Sequence, residues 1–416
     1  MSWAGIPSLV RIDVPTLVST GAVSLQPGRF TAKVDNDSTV GEKVTTVFAM
    51  INMDTEVAGI PLRGNLGAQY VRTTQQAEGF DYTGNDDVPD LTKLFVRKGG
   101  ASYSDFLPSL NLVANLQKGL IARFGLGVTS ARPNIVDMRA GTSTPTLIVD
   151  PGPRQGQWNP VYAGNPELKP WRAAGIDLSV EKYFGKRSYV SFAAFRKNLL
   201  SYITYGQGRR DNTDIPLPAN APPGIVVQQY GPAFQPLNGK GGKVEGLDLA
   251  ASLEASLLHP ALDGFGVVVS GSKLSSAIRD QQVDASGRVI EGSSVPLNGL
   301  SGRSNSITAY YEKYGFSARV SQRYRSPFTA TTRDIYLNST ARQQMADKVV
   351  DLQMGYNFEA GMFKGLSLLL QVNNATDTTT TNLKTVTANA PDASQFTPNY
   401  TYKFGRQVLA GMSYKF

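Results

Sequence analysis

The sequence predicts an all-β protein: an antiparallel transmembrane β-barrel, partial at about 13 strands of a larger barrel, with long extracellular loops and short periplasmic turns. Three features carry the prediction. Apolar residues recur at every second position, the period of a strand, in a chain of 416 residues punctuated by 41 glycines and 24 prolines. The alternating runs last about ten residues or more, against an average of about five or six in soluble strands. Their connections alternate between short and long, so one end of the molecule has turns and the other has loops.

The elements follow in order. Strands are predicted near 44–55, 62–75, 102–116, 120–131, 170–183, 189–205, 243–256, 265–277, 300–313, 316–328, 345–358, 365–375 and 398–416. In 120–131, Leu120, Ala122, Phe124, Leu126 and Val128 oppose Arg123, Gly125, Gly127 and Thr129; in 170–183, Ile176, Leu178 and Val180 oppose Asp177, Ser179 and Glu181. Phe316, Ala318, Val320 and Tyr324 oppose Ser317, Arg319, Ser321 and Arg323, and Val350, Leu352, Met354, Tyr356 and Phe358 oppose Asp351, Gln353, Gly355 and Asn357. Short connections fall near 56–61, 117–119, 184–188, 257–265, 313–316 and 359–364. Long ones fall near 76–100, 132–168, 206–240, 279–300, 327–345 and 376–398. Tyr183, Phe184, Tyr314, Phe316, Phe358, Phe363, Tyr414 and Phe416 gather beside the short turns, where an interfacial aromatic girdle belongs. An isolated antiparallel barrel needs an even number of strands, so the odd count predicts a partial wall with unpaired edges. Residues 1–41 read as an irregular outer-loop remnant and 42–416 as the barrel.

Composition removes other classes. Hydrophobic residues at 41% with charged residues at 18% are too apolar for a disordered chain. No apolar run approaches the roughly 18 to 20 residues of a membrane helix. With no cysteine and the single histidine His259, neither disulfides nor a multi-histidine metal site can be built, and no cofactor is expected. The net charge of +8 is spread without a basic block, so nucleic acid is not a partner. The start Met1-Ser2-Trp3-Ala4-Gly5-Ile6-Pro7 reads as lacking an export signal.

Several stretches resemble one family. They are Gly59-Ile60-Pro61-Leu62-Arg63-Gly64-Asn65-Leu66-Gly67 with Tyr70-Val71-Arg72-Thr73, and Asp105-Phe106-Leu107-Pro108-Ser109-Leu110-Asn111-Leu112. Asn165-Pro166-Glu167-Leu168-Lys169-Pro170-Trp171, Val244-Glu245-Gly246-Leu247-Asp248 and Val372-Asn373-Asn374-Ala375-Thr376-Asp377 complete the set. From about Gly41 to Phe416 the chain resembles the carboxyl-terminal part of a TonB-dependent outer-membrane receptor. The resemblance implies a barrel of roughly 22 strands with a plugged lumen, a TonB contact near the amino terminus and energised import of a scarce small ligand. Against that pattern the chain reads as lacking the plug, the TonB contact and the early strands, so TonB is a partner only through a missing plug. It is then a truncated, mis-started or excised piece, expected in the outer membrane of a Gram-negative bacterium among its lipids. Its motifs resemble members linked to carbohydrate uptake more than siderophore receptors, leaving carbohydrate and metal chelate both open as ligand. A passive porin-like channel and a non-functional gene fragment are the alternatives.

Candidate sites follow from chemistry. Arg319, Arg323 and Arg325 stand in one column facing the lumen, suited to an anionic ligand; the competing role is pairing with plug or wall carboxylates. Trp158, Tyr162, Tyr205, Tyr230 and Tyr336, with Trp171, Phe234 and Tyr400, are outer-loop aromatics able to stack on a sugar or aromatic chelator, or to pack loops together. Asp81, Asp86, Asp87 and Asp90 fit no calcium loop and read as a solvated acidic loop. Asn238 to Lys243 lacks P-loop spacing. His259 precedes Pro260 in an expected periplasmic turn, so no hydrolase triad is evident and the protein is not expected to be an enzyme. In the last strand Gly411, Met412, Tyr414 and Phe416 resemble the terminal signal captured by the barrel-assembly machinery through strand addition, with Leu409 where a polar residue is usual.

Overall fold

Thirteen strands follow one another along a single antiparallel path in the computed structural model, which describes residues 13–23, 37–82, 92, 94–142, 145–213, 215–218, 220–239, 241–283, 289–333, 339–385 and 396–415. They are β1 (Ser38–Val57), β2 (Ile60–Tyr82), β3 (Leu94–Asn115), β4 (Leu120–Ala131), β5 (Trp171–Phe184), β6 (Ser188–Asp211) and β7 (Gly242–Glu254). The path continues through β8 (Phe265–Val283), β9 (Arg303–Lys313), β10 (Phe316–Arg325), β11 (Asp347–Asn357), β12 (Leu366–Asn373) and β13 (Gln407–Tyr414). Among the described residues β1 pairs only with β2 and β13 only with β12, so the wall has two open edges, as the odd strand count predicts.

Register decides which side chains share a face. Ile51, Leu66, Leu110, Leu126 and Ile176 oppose one another from β1 to β5. Leu112, Phe124, Leu178, Ala194 and Leu247 form the next row, from β3 to β7. The intervening positions are polar or small: Asn65, Asn111, Gly125 and Asp177 lie in one row, and Asn111 Nδ2 donates to Asn65 Oδ1 at 2.9 Å. On the same face the Arg123 guanidinium meets Glu181 at 3.0 Å. The apolar face is bare, with Ile51, Leu66, Leu126, Leu178, Leu247 and Leu249 all exposed. A patch of that extent calls for an apolar surrounding, and on one face of a single antiparallel wall with polar residues on the other it is the lipid side, which makes the apolar side the outside and the polar side the lumen. The dry core lies instead among the outer loops, where Met138, Leu147, Trp158, Val161, Leu168 and Ala233 are buried.

The outward face has an aromatic border at the turn end. Phe265 meets Tyr311 at 4.5 Å between ring centroids, Tyr311 meets Phe316 at 6.1 Å, and Tyr356 and Phe363 flank Phe358 at 4.7 and 5.6 Å. At the loop end the same face carries Lys273 opposite Arg303. From Phe265 to Lys273 is about 27 Å along the strand, or about 21 Å of height at a tilt of about 40°, close to the apolar band of an outer-membrane barrel. Tyr183 departs from the expected girdle. Its register pairs it with Tyr189 on the lumen face, where its hydroxyl donates to Glu181 at 2.8 Å.

The turns are as tight as the sequence suggests. Ala58 and Gly59, and again Tyr314 and Gly315, have positive φ at both central positions, which is the two-residue hairpin whose twist matches the flanking strands. A Cβ on Gly315 would stand 2.3 Å from the Asn357 carbonyl oxygen, so no other residue fits there. The turn holding His259 is built of two short 3-10 helices, and His259 Nδ1 accepts a hydrogen bond from the Ala261 N–H at 3.2 Å.

Boundaries at the loop end differ from the expected ones. β2 runs on to Tyr82, β3 begins at Leu94 and β6 continues to Asp211, while residues 230–239 pair with the extended end of β6. Four further strands at 328–333, 339–344, 380–385 and 396–402 form a separate sheet. The predicted strand 398–416 is thus two strands. Loop backbone must also find partners, and outside the bilayer it does so without an apolar face to mark it. β1 starts at Ser38, before the expected end of the irregular segment, and a short helix occupies Val14–Ser19 with Asp13 as its cap.

Adjacent β7 positions test the two faces. Leu249→Arg, on the outside, is expected to cost about 2–4 kcal/mol of folding free energy in lipid vesicles, and Ala250→Arg, on the lumen side, less than about 1 kcal/mol. Denaturant titration in vesicles reads both. Gly315→Ala is expected to destabilise by at least about 1 kcal/mol in the same titration.

Candidate functional site

The loop end is fastened to the wall before it presents anything outward. Gln75, on the lumen face of β2, donates through Nε2 to the carbonyls of Pro166 and Leu168 at 2.7 Å each. Asn165 Nδ2 donates to the Pro236 carbonyl and Asn238 Nδ2 to the Glu167 carbonyl, both at 3.0 Å, and Asn238 Oδ1 accepts from the Lys169 N–H at 2.7 Å. Leu168 is wholly buried against Met138 and Ile203. The segment from Asn165 to Trp171 is therefore a clamp that seats the 132–170 loop on the wall and on the 230–239 strand.

A second fastening corrects the reading of Asp81 as part of a solvated loop. Asp81 is fully buried at the end of β2, where its carboxylate accepts from Arg97 Nε at 2.7 Å, from Arg210, and from the N–H and hydroxyl of Thr142 at 2.9 and 3.0 Å. One carboxylate between two guanidiniums ties β2, β3, the 132–170 loop and the end of β6 together. Asp86, Asp87 and Asp90 lie outside the described residues.

On this base the end of β6, the 230–239 strand and Val161–Tyr162 form a small sheet with two unlike faces. Arg210, Ala233 and Val161 face inward, and Ala233 and Val161 are buried. The other face carries Tyr205, Arg209 and Asp211 of β6, Tyr230 and Phe234 of the next strand, and Tyr162 beyond it. Tyr162 stacks on Phe234 at 5.5 Å and 24°, and the Arg209 guanidinium lies 4.3 Å over the Tyr230 ring. Tyr205, Arg209, Tyr230 and Phe234 are exposed, and Arg209 has no carboxylate partner among the described residues. The Thr213 hydroxyl, then its N–H, then the Gln229 amide hold the Asp211 carboxyl below the usual carboxylate range. The arrangement is a platform of flat rings with one cation, able to stack on a planar ligand and to meet a negative charge.

The structure divides the sequence-derived candidates. Tyr162, Tyr205 and Tyr230 converge on the platform, and Tyr205 also donates its hydroxyl to Asp137. Trp158 does not join them: it is buried with Leu147 and Ile215, and its indole N–H donates to the Gln228 carbonyl at 2.8 Å. Trp171 packs against Tyr202, and Tyr400 pairs with Tyr402 and accepts from Arg342. Tyr336 lies outside the described residues. Arg209 was not singled out in the sequence; its only signal is its place opposite an aromatic strand.

Arg319, Arg323 and Arg325 do share the lumen face of β10. Arg319 pairs with Glu312 at 3.2 Å and Arg323 with Asp351 at 2.9 Å. Asp351 also accepts from the N–H of Asn374, in the left-handed conformation, whose side chain in turn donates to the Gly405 carbonyl at 2.9 Å. Arg325 donates to the Gly299 carbonyl at 2.9 Å and covers the Phe328 ring at 3.8 Å. The column is thus engaged with the wall and its loops. In β13, Gly411 and Met412 pair with Leu369 and Leu368, Tyr414 faces outward with Met412, and Leu409 faces the lumen opposite Gln371; Phe416 lies outside the described residues.

Comparison with known proteins follows the same lines. The family model described as "TonB dependent receptor-like, beta-barrel" matches residues 14–375. The FrpB iron transporter from Neisseria meningitidis superposes with a TM-score of 0.50 at 13% identity, over 98% of this chain and 49% of that one. A mutant ferric enterobactin receptor from Pseudomonas aeruginosa, in complex with enterobactin, gives 0.49 at 15% identity over 90% and 54%. The siderophore receptor PirA from Acinetobacter baumannii gives 0.48 at 12% over 91% and 55%. The chain spans about half the length of these structures, and at such identities the likeness concerns the fold alone. No curated protein matches the sequence.

Removal of the Asp81 carboxylate tests the second fastening. Asp81→Ala removes the buried carboxylate on which the Arg97 and Arg210 guanidiniums converge and is expected to cost about 3–5 kcal/mol locally. Amide hydrogen exchange across 139–170 and 206–213 is expected to quicken, while exchange in β10 to β13 stays unchanged.

Proposed function

Since the chain belongs to the TonB-dependent receptor-like β-barrel family, whose members are outer-membrane transporters of Gram-negative bacteria and not enzymes, we propose that it supplies the carboxyl-terminal wall and ligand-capturing loops of such a receptor. The ligand is a small anion of the metal-chelate class that carries flat aromatic rings, caught on the Tyr162, Tyr205, Tyr230 and Phe234 platform with Arg209 meeting its charge. The observation that carries this is the exposed Arg209–Tyr230 pair at 4.3 Å on a face where rings, not hydrogen-bonding amides, predominate. A carbohydrate would call for paired amide or carboxylate groups beside each ring, and among the described side chains the platform offers them at its edge, in Asp211 and the Gln229 amide that donates to it. Inward passage leads along the lumen face past Arg319, Arg323 and Arg325, whose contacts with wall and loop keep the column in place. Two open wall edges expose backbone donors and acceptors to hydrocarbon, at several kcal/mol each if left unpaired. The receptor's remaining strands satisfy them, and the β13 edge is the one the assembly machinery engages first.

Titration of the full chain in detergent, followed by tyrosine and tryptophan fluorescence, tests the ligand class. Ferric enterobactin as an anionic aromatic chelate is expected to bind more tightly than a neutral maltooligosaccharide. Arg209→Ala with Tyr230→Ala is expected to weaken it by about tenfold or more, on the order of one cation–π contact with its charge. Tighter sugar binding reassigns the ligand to carbohydrate. Steady ligand-independent conductance in liposomes contradicts the receptor reading in favour of a passive channel.

A further inference from the structure

The outer surface of the wall changes character where β5 to β9 approach the loop end. Ile176 and Leu178 of β5, Ala194 of β6 and Leu247 of β7 floor a groove of about 430 Å³, and Arg196, Glu245 and Lys273 stand on its rim. Register accounts for the shape. Leu178, Ala194, Leu247, Lys273 and Arg303 form one outward row from β5 to β9. Ile176, Arg196, Glu245 and Ser275 form the row beside it. On the lumen side Gly246 leaves no side chain, and Phe195 and Leu274 close over it: a Cβ there would meet them at 2.8 and 2.5 Å. The groove therefore opens outward only.

Its charges are unbalanced. Glu245 is held by Lys243 at 2.9 Å. Arg196, Lys273 and Arg303 are exposed and in no ion pair among the described residues; Arg196 lies opposite Glu245, which Lys243 already holds, and its Nε donates to Asn198 Oδ1 at 3.2 Å. Cations at the upper border of the hydrocarbon band are stabilised by anionic groups of the leaflet. Arg196 and Arg303 are three strands apart, about 14 Å at the usual spacing of about 4.8 Å per strand, which is wider than one phosphate reaches.

We propose that this groove is a binding site for one molecule of the bisphosphorylated, acylated glycolipid of the outer leaflet, with an acyl chain on Ile176, Leu178, Ala194 and Leu247 and its two phosphates on Arg196 and on the Lys273–Arg303 pair. The proposal rests on the outer-membrane reading given above. A glycerophospholipid, with a single phosphate, satisfies one end of the cation row and leaves the other bare.

Native mass spectrometry of the full chain, folded in detergent and offered lipids in turn, tests it. Bisphosphorylated lipid A is expected to be retained at one per chain, at least about tenfold more tightly than its dephosphorylated form or phosphatidylglycerol. The combined variant Arg196→Gln, Lys273→Gln, Arg303→Gln is expected to lose that preference. Equal retention of the three lipids by the unaltered chain overturns the site, and this arm needs no variant. So does an undiminished preference in a triple variant whose electrophoretic mobility shows the folded, heat-modifiable form. Insertion into vesicles separates the two readings: a chain that inserts without lipid preference overturns the site alone, and one that never inserts overturns the membrane reading with it.

Discussion

Hydrocarbon offers no partner to a peptide group, and everything in this wall follows from that. Each buried N–H and C=O must find its mate in the next strand. The ladder that provides it also fixes the register, and with strand period two the register fixes which side chains meet lipid and which meet water. A slip of one residue would put Asn111 and Asp177 into the bilayer and Leu110 and Ile176 into the lumen. The row of direct oppositions running from Ile51 to Ile176 shows how the long pairings between neighbours exclude that slip.

The loop end obeys a different rule. Out of the bilayer the strands keep pairing, but stability comes from buried polar contacts and a modest apolar core. Gln75 takes two carbonyls, Asp81 takes two guanidiniums, and Leu168 packs with Met138 and Ile203. Fastened on one side, the small sheet of β6, 230–239 and 161–162 turns its other side outward with its rings exposed. Under the proposed function, preorganisation of this kind spares a ligand the cost of ordering the loops that catch it.

Much of the wall was legible in the sequence because alternation is a direct imprint of the two solvents. The stretch from Leu120 to Ala131 coincides with its strand, and the turns at Ala58–Gly59 and Tyr314–Gly315 sit where short connections were expected. What escaped reading lies where alternation carries no such imprint. Residues 94–101 and 206–211 are strand without a lipid face, so they resembled loop. Tyr183 sits one residue out of phase with the outward positions and went to the lumen. Trp158 and Tyr230 are both outer-loop aromatics, and only long-range contacts, with Leu147 for the one and Arg209 for the other, separate core from platform. Asp81 looked like its acidic neighbours because its partners Arg97 and Arg210 lie far along the chain. The motifs that carry the family likeness are mostly fastenings: the clamp at 165–171, the Asn374 turn held by Asp351, and the flat spot at Gly246. They mark how the barrel is held together, and so they speak to family more clearly than to ligand.

The absence of native cysteine makes the central claim open to a direct measurement. Single cysteines placed in turn from 247 to 253, labelled with an environment-sensitive fluorophore in vesicles, are to be quenched from the lipid by nitroxide acyl chains and from the water by iodide. The account predicts strict alternation, with odd positions quenched from the lipid and even positions from the aqueous side. Uniform quenching along the strand, or a period near that of a helix, would contradict it.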